Sequence, residues 1–265
     1  MDLKIKNKIA LVTGATQGIG FATAKKLCEE KANVIINGRN KEKLDTAISK
    51  IKKDIPNAEI TGIVADLKDN EGCNYLISKI PHIDILINNL GMFKAKSFEE
   101  IKEEEWLQMF NINVMSGIRL SQHYLSKMLE QNWGRIIFVS SESALNIPRE
   151  MIHYGMTKTA QVSVAHGIAQ LTQGTNVTSN SIIVGPSKSE GVMKFLDEIG
   201  KEENKTFKEL EKEFFEIHRP TSLTKRFAEV EETANMIVYA ASSLSSTTNG
   251  AMLRADGGII NSAFN

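Results

Sequence analysis

Seven short apolar runs rich in β-branched residues punctuate the chain, at residues 9–13, 33–37, 60–65, 83–88, 135–140, 177–184 and 251–255. Longer stretches with apolar positions at helical spacing separate them. Most of the runs read as continuous Val, Ile and Leu rather than as in-out alternation. That is the pattern of strands covered on both faces, as in a parallel sheet between two helical layers. The repeated strand–helix alternation predicts an α/β fold with a doubly wound, mostly parallel seven-stranded sheet of Rossmann type. No low-complexity linker, fixed-period repeat or composition break divides the sequence, so residues 1–265 read as a single domain. One segment, 190–219, departs from the rhythm: it is charge-rich, yet Phe207, Leu210, Phe214 and Ile217 recur at three and four positions, predicting an amphipathic helix inserted before the last βα unit. Two readings stand for it, a solvated surface helix and a substrate lid. The second draws on its place after a strand's carboxyl end, where open α/β sheets bind ligands.

Charge narrows the function classes. With 32 Lys and Arg against 32 Asp and Glu, the formal net charge is +0, so no bulk field draws in nucleic acid or an anionic membrane. Cys28 and Cys73 form no CxxC pair and have no nearby His, so neither a disulfide scaffold nor a metal site is expected. No apolar run approaches the roughly 18 residues that span a bilayer, and the first residues lack the apolar core of a signal peptide. The expectation is a reduced, soluble, cytoplasmic protein with a small-molecule substrate.

The first run leads into Thr13-Gly14-Ala15-Thr16-Gln17-Gly18-Ile19-Gly20, with a helix expected from near Phe21. Glycines allow a tight turn and close backbone approach to a pyrophosphate, which then lies on free N–H groups at the positive end of the helix dipole. Strand before and helix after are the context that makes a glycine trio informative. Gly14, Thr16, Gln17, Gly18, Ile19 and Gly20 are therefore candidate cofactor contacts. After the second run the chain reads Asn37-Gly38-Arg39-Asn40-Lys41, without the carboxylate that would take a ribose 2′-hydroxyl. Arg39 offers a charged fork for a 2′-phosphate, which predicts NADP(H) over NAD(H), with NAD(H) as the alternative. Asp66, with Leu67 beside it, follows the third run as an adenine contact or as the cap of the next helix. Asn88-Asn89-Leu90-Gly91 follows the fourth, and Asn89 and Gly91 are candidates for the crevice wall.

Tyr154 and Lys158 are spaced to share a helix face one turn apart. A phenol of pKa ≈ 10 carries protons poorly at neutral pH. An ammonium ~5 Å away, at an effective dielectric near 20, favours phenolate by roughly 3 kcal/mol, a little over two pKa units. Tyr75 and Lys79 have the same spacing, but only Tyr154 follows a strand that ends in Ser140-Ser141.

Together these motifs make the chain resemble the short-chain dehydrogenase/reductase family over residues 6–258. The family's TGxxxGxG pattern falls on residues 13–20, its NNAG motif on 88–91, its catalytic Asn on Asn113, and its Ser, Tyr and Lys on Ser141, Tyr154 and Lys158. The resemblance implies that Tyr154 exchanges a proton with the substrate oxygen as hydride moves to or from nicotinamide C4. It implies that Ser141 binds that oxygen, that Lys158 lowers the Tyr154 pKa and holds the nicotinamide ribose, and that Asn113 holds a water linking Lys158 to solvent. The PGxIxT pattern aligns with 184–189, adding Gly185, Ser187 and Ser189 as cofactor contacts. Leu90 stands for the motif's Ala and Val184 for its Pro, and the glycine loop lacks the basic residue common in NADP-dependent members. The closing residues 254–258 resemble the family's last strand and turn, implying a homo-oligomer, tetramer or dimer; an exposed last strand is the alternative. Met92, Phe93, Leu145, Met151 and Val192 are expected around the substrate. Two rivals remain at this point: a non-catalytic dinucleotide-binding sensor or scaffold on the same fold, and a lyase or epimerase using the same tyrosine.

Overall fold

Each of the seven runs becomes a strand in the computed structural model, which describes residues 2–263 apart from the Phe195 side chain. The strands are β1 (Ile9–Val12), β2 (Asn33–Gly38), β3 (Ile60–Val64), β4 (Ile85–Asn88), β5 (Gly134–Ser141), β6 (Val177–Val184) and β7 (Met252–Ala255). Their order across the sheet is β3-β2-β1-β4-β5-β6-β7, and every neighbouring pair is parallel. The sheet is thus wholly rather than mostly parallel. Residues 1, 264 and 265 of the expected single-domain span lie outside the described residues.

The helices are α1 (Gly18–Glu29), α2 (Lys41–Asp54), α3 (Asn70–Lys79), α4 (Glu103–Phe110), α5 (Ser116–Glu130), α6 (Ile152–Gln170), α7 (Glu190–Glu203), α8 (Phe207–Ile217) and α9 (Val230–Ala240). Successive strand residues point to opposite faces. Ala10 and Val12 accordingly join one buried cluster with Ala24, Leu27 and Ile237, while Leu11 joins another with Leu76, Leu120 and Phe138. Burial on both faces explains why the runs lack alternation. At roughly 1.5–3 kcal/mol per fully buried aliphatic side chain, these two layers dominate the fold.

The strand order reverses between β1 and β4, so a crevice opens at the carboxyl ends of those two strands. The glycine loop follows the first, and the Asn88–Gly91 segment follows the second.

The 190–219 segment is two helices, not one. Asn204, in the left-handed region at φ 52°, ends α7, and Thr206 starts α8 with a capping box in which Glu209 returns the bond. The Thr206-x-x-Glu209 spacing signals that restart in the sequence. Leu210 and Phe215 of α8 pack with Leu196, Phe227 and Ile259 in a small separate cluster, whereas Ile217, expected on the apolar stripe, is 62% exposed.

Candidate active site

Gly14 and Gly18 have φ of +61° and +60°, a region that costs residues with a Cβ but not glycine. At Gly20 space is the constraint: a Cβ would collide with the Asn89 amide and lie 2.8 Å from the Gly14 oxygen. Asn89 braces this loop. Its Nδ2 donates to the Thr13 and Gly14 oxygens at 2.9 and 3.1 Å, and the Thr13 hydroxyl accepts from the backbone N–H of Asn89 and Leu90, each at 3.0 Å. Leu90, where the motif has Ala, packs its side chain over Gly14. Helix α1 begins inside the motif at Gly18, earlier than the expected start near Phe21, with Gln17 as its N-cap residue and Ile19 partly buried against the core.

The Gly18 N–H donates to Oε2 of Glu190 at 2.8 Å. A carboxylate thus rests on the free amide of the loop, the place where an anionic phosphate is favoured by N–H groups and helix dipole. This stand-in anion, together with glycines that leave no room for side chains, shows that the loop fits a dinucleotide's pyrophosphate. Ser189 lies beside Gly18, but its hydroxyl caps α7 by accepting from the Val192 N–H at 3.4 Å. Ser187 donates to the Gly185 oxygen at 3.1 Å, and a Cβ on Gly185 would meet the Asp256 oxygen at 2.8 Å. These residues fix the path from β6 into α7; their hydroxyls are already bonded within the chain.

Arg39 is the first residue past β2, exposed, with no hydrogen bond or ion pair among the described residues. Thr16 sits at the neighbouring Gly38, close enough that a Cβ there would meet its Cγ2 at 2.5 Å. Asn37 ties the ends of β2 and β3 by donating to the Ile63 and Ala65 oxygens at 3.2 and 3.1 Å. Asp66 is not the helix cap: Asp69 caps α3, accepting from Gly72 N–H at 3.0 Å, while Asp66 accepts from Lys68 N–H at 3.2 Å. Leu67 is buried in the core.

At the carboxyl end of β5 the two serines separate in role. Ser140 donates to the Lys158 carbonyl at 2.9 Å and fastens α6 to the strand. Ser141 accepts from the Ser143 N–H at 3.2 Å and lies close enough to the Tyr154 side chain to oppose the rise in its pKa. Phe93 stands edge-on to the Tyr154 ring, with centroids 6.1 Å apart. Leu145 is exposed beside this region, Val192 packs, partly buried, against the α7–α8 cluster, and Met151 ends a short 3-10 turn before α6.

The acidified phenol expected from Lys158 is not what the side chains give. Burial pushes the Tyr154 phenol up to about 12, with Ser141 opposing, and burial drives Lys158 down to about 7. The Lys158 Nζ lies 5.6 Å from the Tyr154 ring centroid and donates to the Val139 oxygen at 2.9 Å and to Gln161 Oε1 at 3.1 Å. Desolvation of both groups outweighs their mutual effect. The Tyr75–Lys79 pair has a similar cation–ring distance, 5.3 Å, but Tyr75 is half exposed on α3.

Asn113 lies in a π-turn, Asn111–Met115, between α4 and α5. Its side chain accepts from Met92 N–H at 2.8 Å and donates to the Met92 oxygen at 2.9 Å and to Thr157 Oγ1 at 3.0 Å. The loop after β4 is thereby held against α6. A Cβ on Gly91 would sit 3.5 Å from Lys158 Nζ, so this glycine keeps room beside the amine. The backbone carbonyl of Asn113, the residue expected to hold a water, accepts from Gln161 Nε2 at 2.6 Å.

Sequence reading passed over three groups. Gln161 is three residues past Lys158, so helix spacing alone places the two side by side. Glu190 follows Ser189 directly, but nothing in the sequence says that its carboxylate reaches Gly18. Glu142, after Ser141, accepts from Arg219 Nε and Nη2, both at 2.8 Å, with side chains only 3% and 8% exposed. Burial raises the Glu142 pKa and Arg219 opposes it. This pair anchors the end of α8 beside the serine, and removing one partner of a buried pair leaves the other uncompensated. Arg219→Met is expected to cost about 3–5 kcal/mol in a denaturant titration; a loss below about 1 kcal/mol would show that the pair holds nothing.

A glycine cradle at the reversal of a parallel sheet, beside a Ser, Tyr and Lys at the next strand's end, defines a nicotinamide-dinucleotide oxidoreductase of the Rossmann class. The short chain dehydrogenase family model matches residues 8–200, and the chain belongs to the short-chain dehydrogenase/reductase family. It is similar to the uncharacterized oxidoreductase YvaG of Bacillus subtilis (strain 168), 44% identical over 264 residues and covering 100% of both chains. It is 28% identical to the 3-oxoacyl-[acyl-carrier-protein] reductase FabG of Aquifex aeolicus, over 98% of this chain and 100% of that one. Its structure matches L-sorbose reductase from Gluconobacter frateurii, solved with NADPH and L-sorbose, at a TM-score of 0.92 and 26% identity, covering 99% of this chain and 100% of that one. The protein is accordingly an NAD(P)-dependent oxidoreductase acting on CH–OH groups. Among the described residues no helix is long and apolar enough to cross a membrane, and no group of three or more His, Cys, Asp or Glu is placed to hold a metal.

Proposed function

We propose that the protein uses NADP(H) to interconvert a ketone and a secondary alcohol, with Tyr154 as the general acid and base. The observation that carries this reading is the placement of Ser141 against the Tyr154 side chain, with Lys158 Nζ 5.6 Å from the tyrosine ring centroid. Bound nicotinamide supplies or accepts the hydride. The chain's own part is to bind the substrate oxygen between the Ser141 and Tyr154 hydroxyls and to give that oxygen a proton as negative charge grows on it. Burial that holds the phenol at about 12 keeps it protonated but makes it a weaker acid, so it is the negative charge growing on the substrate oxygen that draws the proton off. Lys158, with Asn113 fixing the facing loop, holds the cofactor ribose. Gly14, Thr16, Gln17, Gly18, Ile19 and Gly20 hold the pyrophosphate, Asp66 and Leu67 the adenine side, and Gly185, Ser187 and Ser189 the far wall. Arg39, exposed and unpaired, is the group that favours NADP(H). The relatives' substrates, L-sorbose and a 3-oxoacyl carrier, share a ketone, and that shared group is as far as the substrate class is taken.

Glu190 competes with the cofactor for the Gly18 amide. One charge at a helix N-terminus is worth about 0.3–1 kcal/mol, so Glu190→Gln is expected to tighten NADPH binding about twofold to fivefold by fluorescence titration. Weaker binding would show that the carboxylate is not in the way. The segment 190–219 acts as the substrate lid, joined to the active site through Arg219 and Glu142. Strand β7, at one sheet edge, is the assembly edge of a homo-oligomer, and the two buried free cysteines suit a reducing cytoplasm.

A further inference from the structure

Gln161 is 1% exposed and shares a face of α6 with Lys158. Its amide joins groups from different elements, accepting at Oε1 from Lys158 Nζ at 3.1 Å and donating from Nε2 to the Asn113 carbonyl at 2.6 Å. Both partners fix its orientation, since an ammonium only donates and a carbonyl only accepts. Lys158 spends a further N–H on the Val139 oxygen at 2.9 Å, which leaves one for the Tyr154 side.

We propose that Gln161 is a positioning residue for the reaction: it bridges Lys158 and the Asn113 carbonyl and aims the remaining N–H of Lys158 at the cleft. The inference rests on the reading of Tyr154 and Lys158 as the acid–base pair.

The same contact sets the charge on Lys158. Burial lowers it to about 7, and the two oxygens facing Nζ are acceptors that suit the ammonium form. Tyr154 is the titratable group beside it on the same helix, and Glu142 from the segment after β5 and Arg219 after α8, paired with each other, act on Tyr154.

The test is a pH titration of Lys158 Nζ by nitrogen NMR on the full chain, assigned with Lys158→Ala, alongside the pH profile of NADPH-dependent ketone reduction. Gln161→Met, close in size but without an acceptor, is expected to lower the Lys158 midpoint by about one pH unit and to move the alkaline limb of kcat/KM down with it. Gln161→Glu is expected to move both upward, and Gln161→Ala, which leaves room for a water, to lie between wild type and Gln161→Met. Thermal melts show which variants fold. Should Gln161→Met not fold, Gln161→Glu and Gln161→Ala carry the comparison. Midpoints that stay together in all folded variants overturn the inference and make Gln161 a packing residue. Midpoints that move as stated with no ketone reduced by the wild type uphold the positioning of Lys158 by Gln161 and overturn the proposed ketone reduction instead.

Discussion

Tyr154→Phe is expected to lower kcat/KM for ketone reduction by about 10²- to 10⁴-fold, the usual worth of a positioned proton donor, while the dissociation constant for NADPH stays within about threefold. The change removes one oxygen and keeps the ring, so the edge contact with Phe93 and the packing of the first turn of α6 survive. Ser141 keeps the Ser143 N–H. The split between lost turnover and retained binding separates chemistry from folding, since a damaged site would lose both. Steady-state kinetics and fluorescence titration on the same preparation make the comparison. Full activity in the variant would remove Tyr154 from the mechanism.

The second large effect concerns cofactor choice. Arg39→Asp is expected to reduce the ratio of kcat/KM with NADPH to that with NADH by about 10²-fold or more. A charged hydrogen bond contributes about 1.5–3 kcal/mol, and the new carboxylate adds repulsion toward a 2′-phosphate while offering an acceptor to a 2′-hydroxyl. Arg39 is exposed and braces nothing, so the fold is expected to be indifferent. Asn40 cannot take over, because its side chain caps α2 by accepting from the Lys43 N–H at 2.9 Å. An unchanged ratio would show that specificity lies elsewhere on the glycine loop.

Much of the architecture was legible because a parallel sheet buried on both faces writes itself as apolar runs. Residues 33–37 and 177–184 needed no tertiary knowledge to place. Glycines 14, 18 and 20 were legible for the same kind of reason, as backbone shape and close approach exclude other residues there. What stayed hidden depends on partners far apart in the chain. The Glu142–Arg219 pair spans 77 positions and the Glu190–Gly18 bond 172, with no local pattern to announce either. The Tyr154–Lys158 spacing was read correctly as proximity but wrongly as acidification, because spacing says nothing about desolvation, and desolvation governs both groups here. The break at Asn204 and Thr206 lay in plain sight as a capping box inside a pattern read only for its apolar period.

The most direct test follows the hydrogen itself. Incubating the protein with NADPH deuterated at C4, on one face and then the other, and with ketones that include L-sorbose, should place deuterium from one face only on the carbinol carbon, with Tyr154→Phe transferring about 10²-fold more slowly or worse. If the dinucleotide binds and no ketone gains deuterium, or if Tyr154→Phe transfers it as fast as the wild type, the account of this site is wrong.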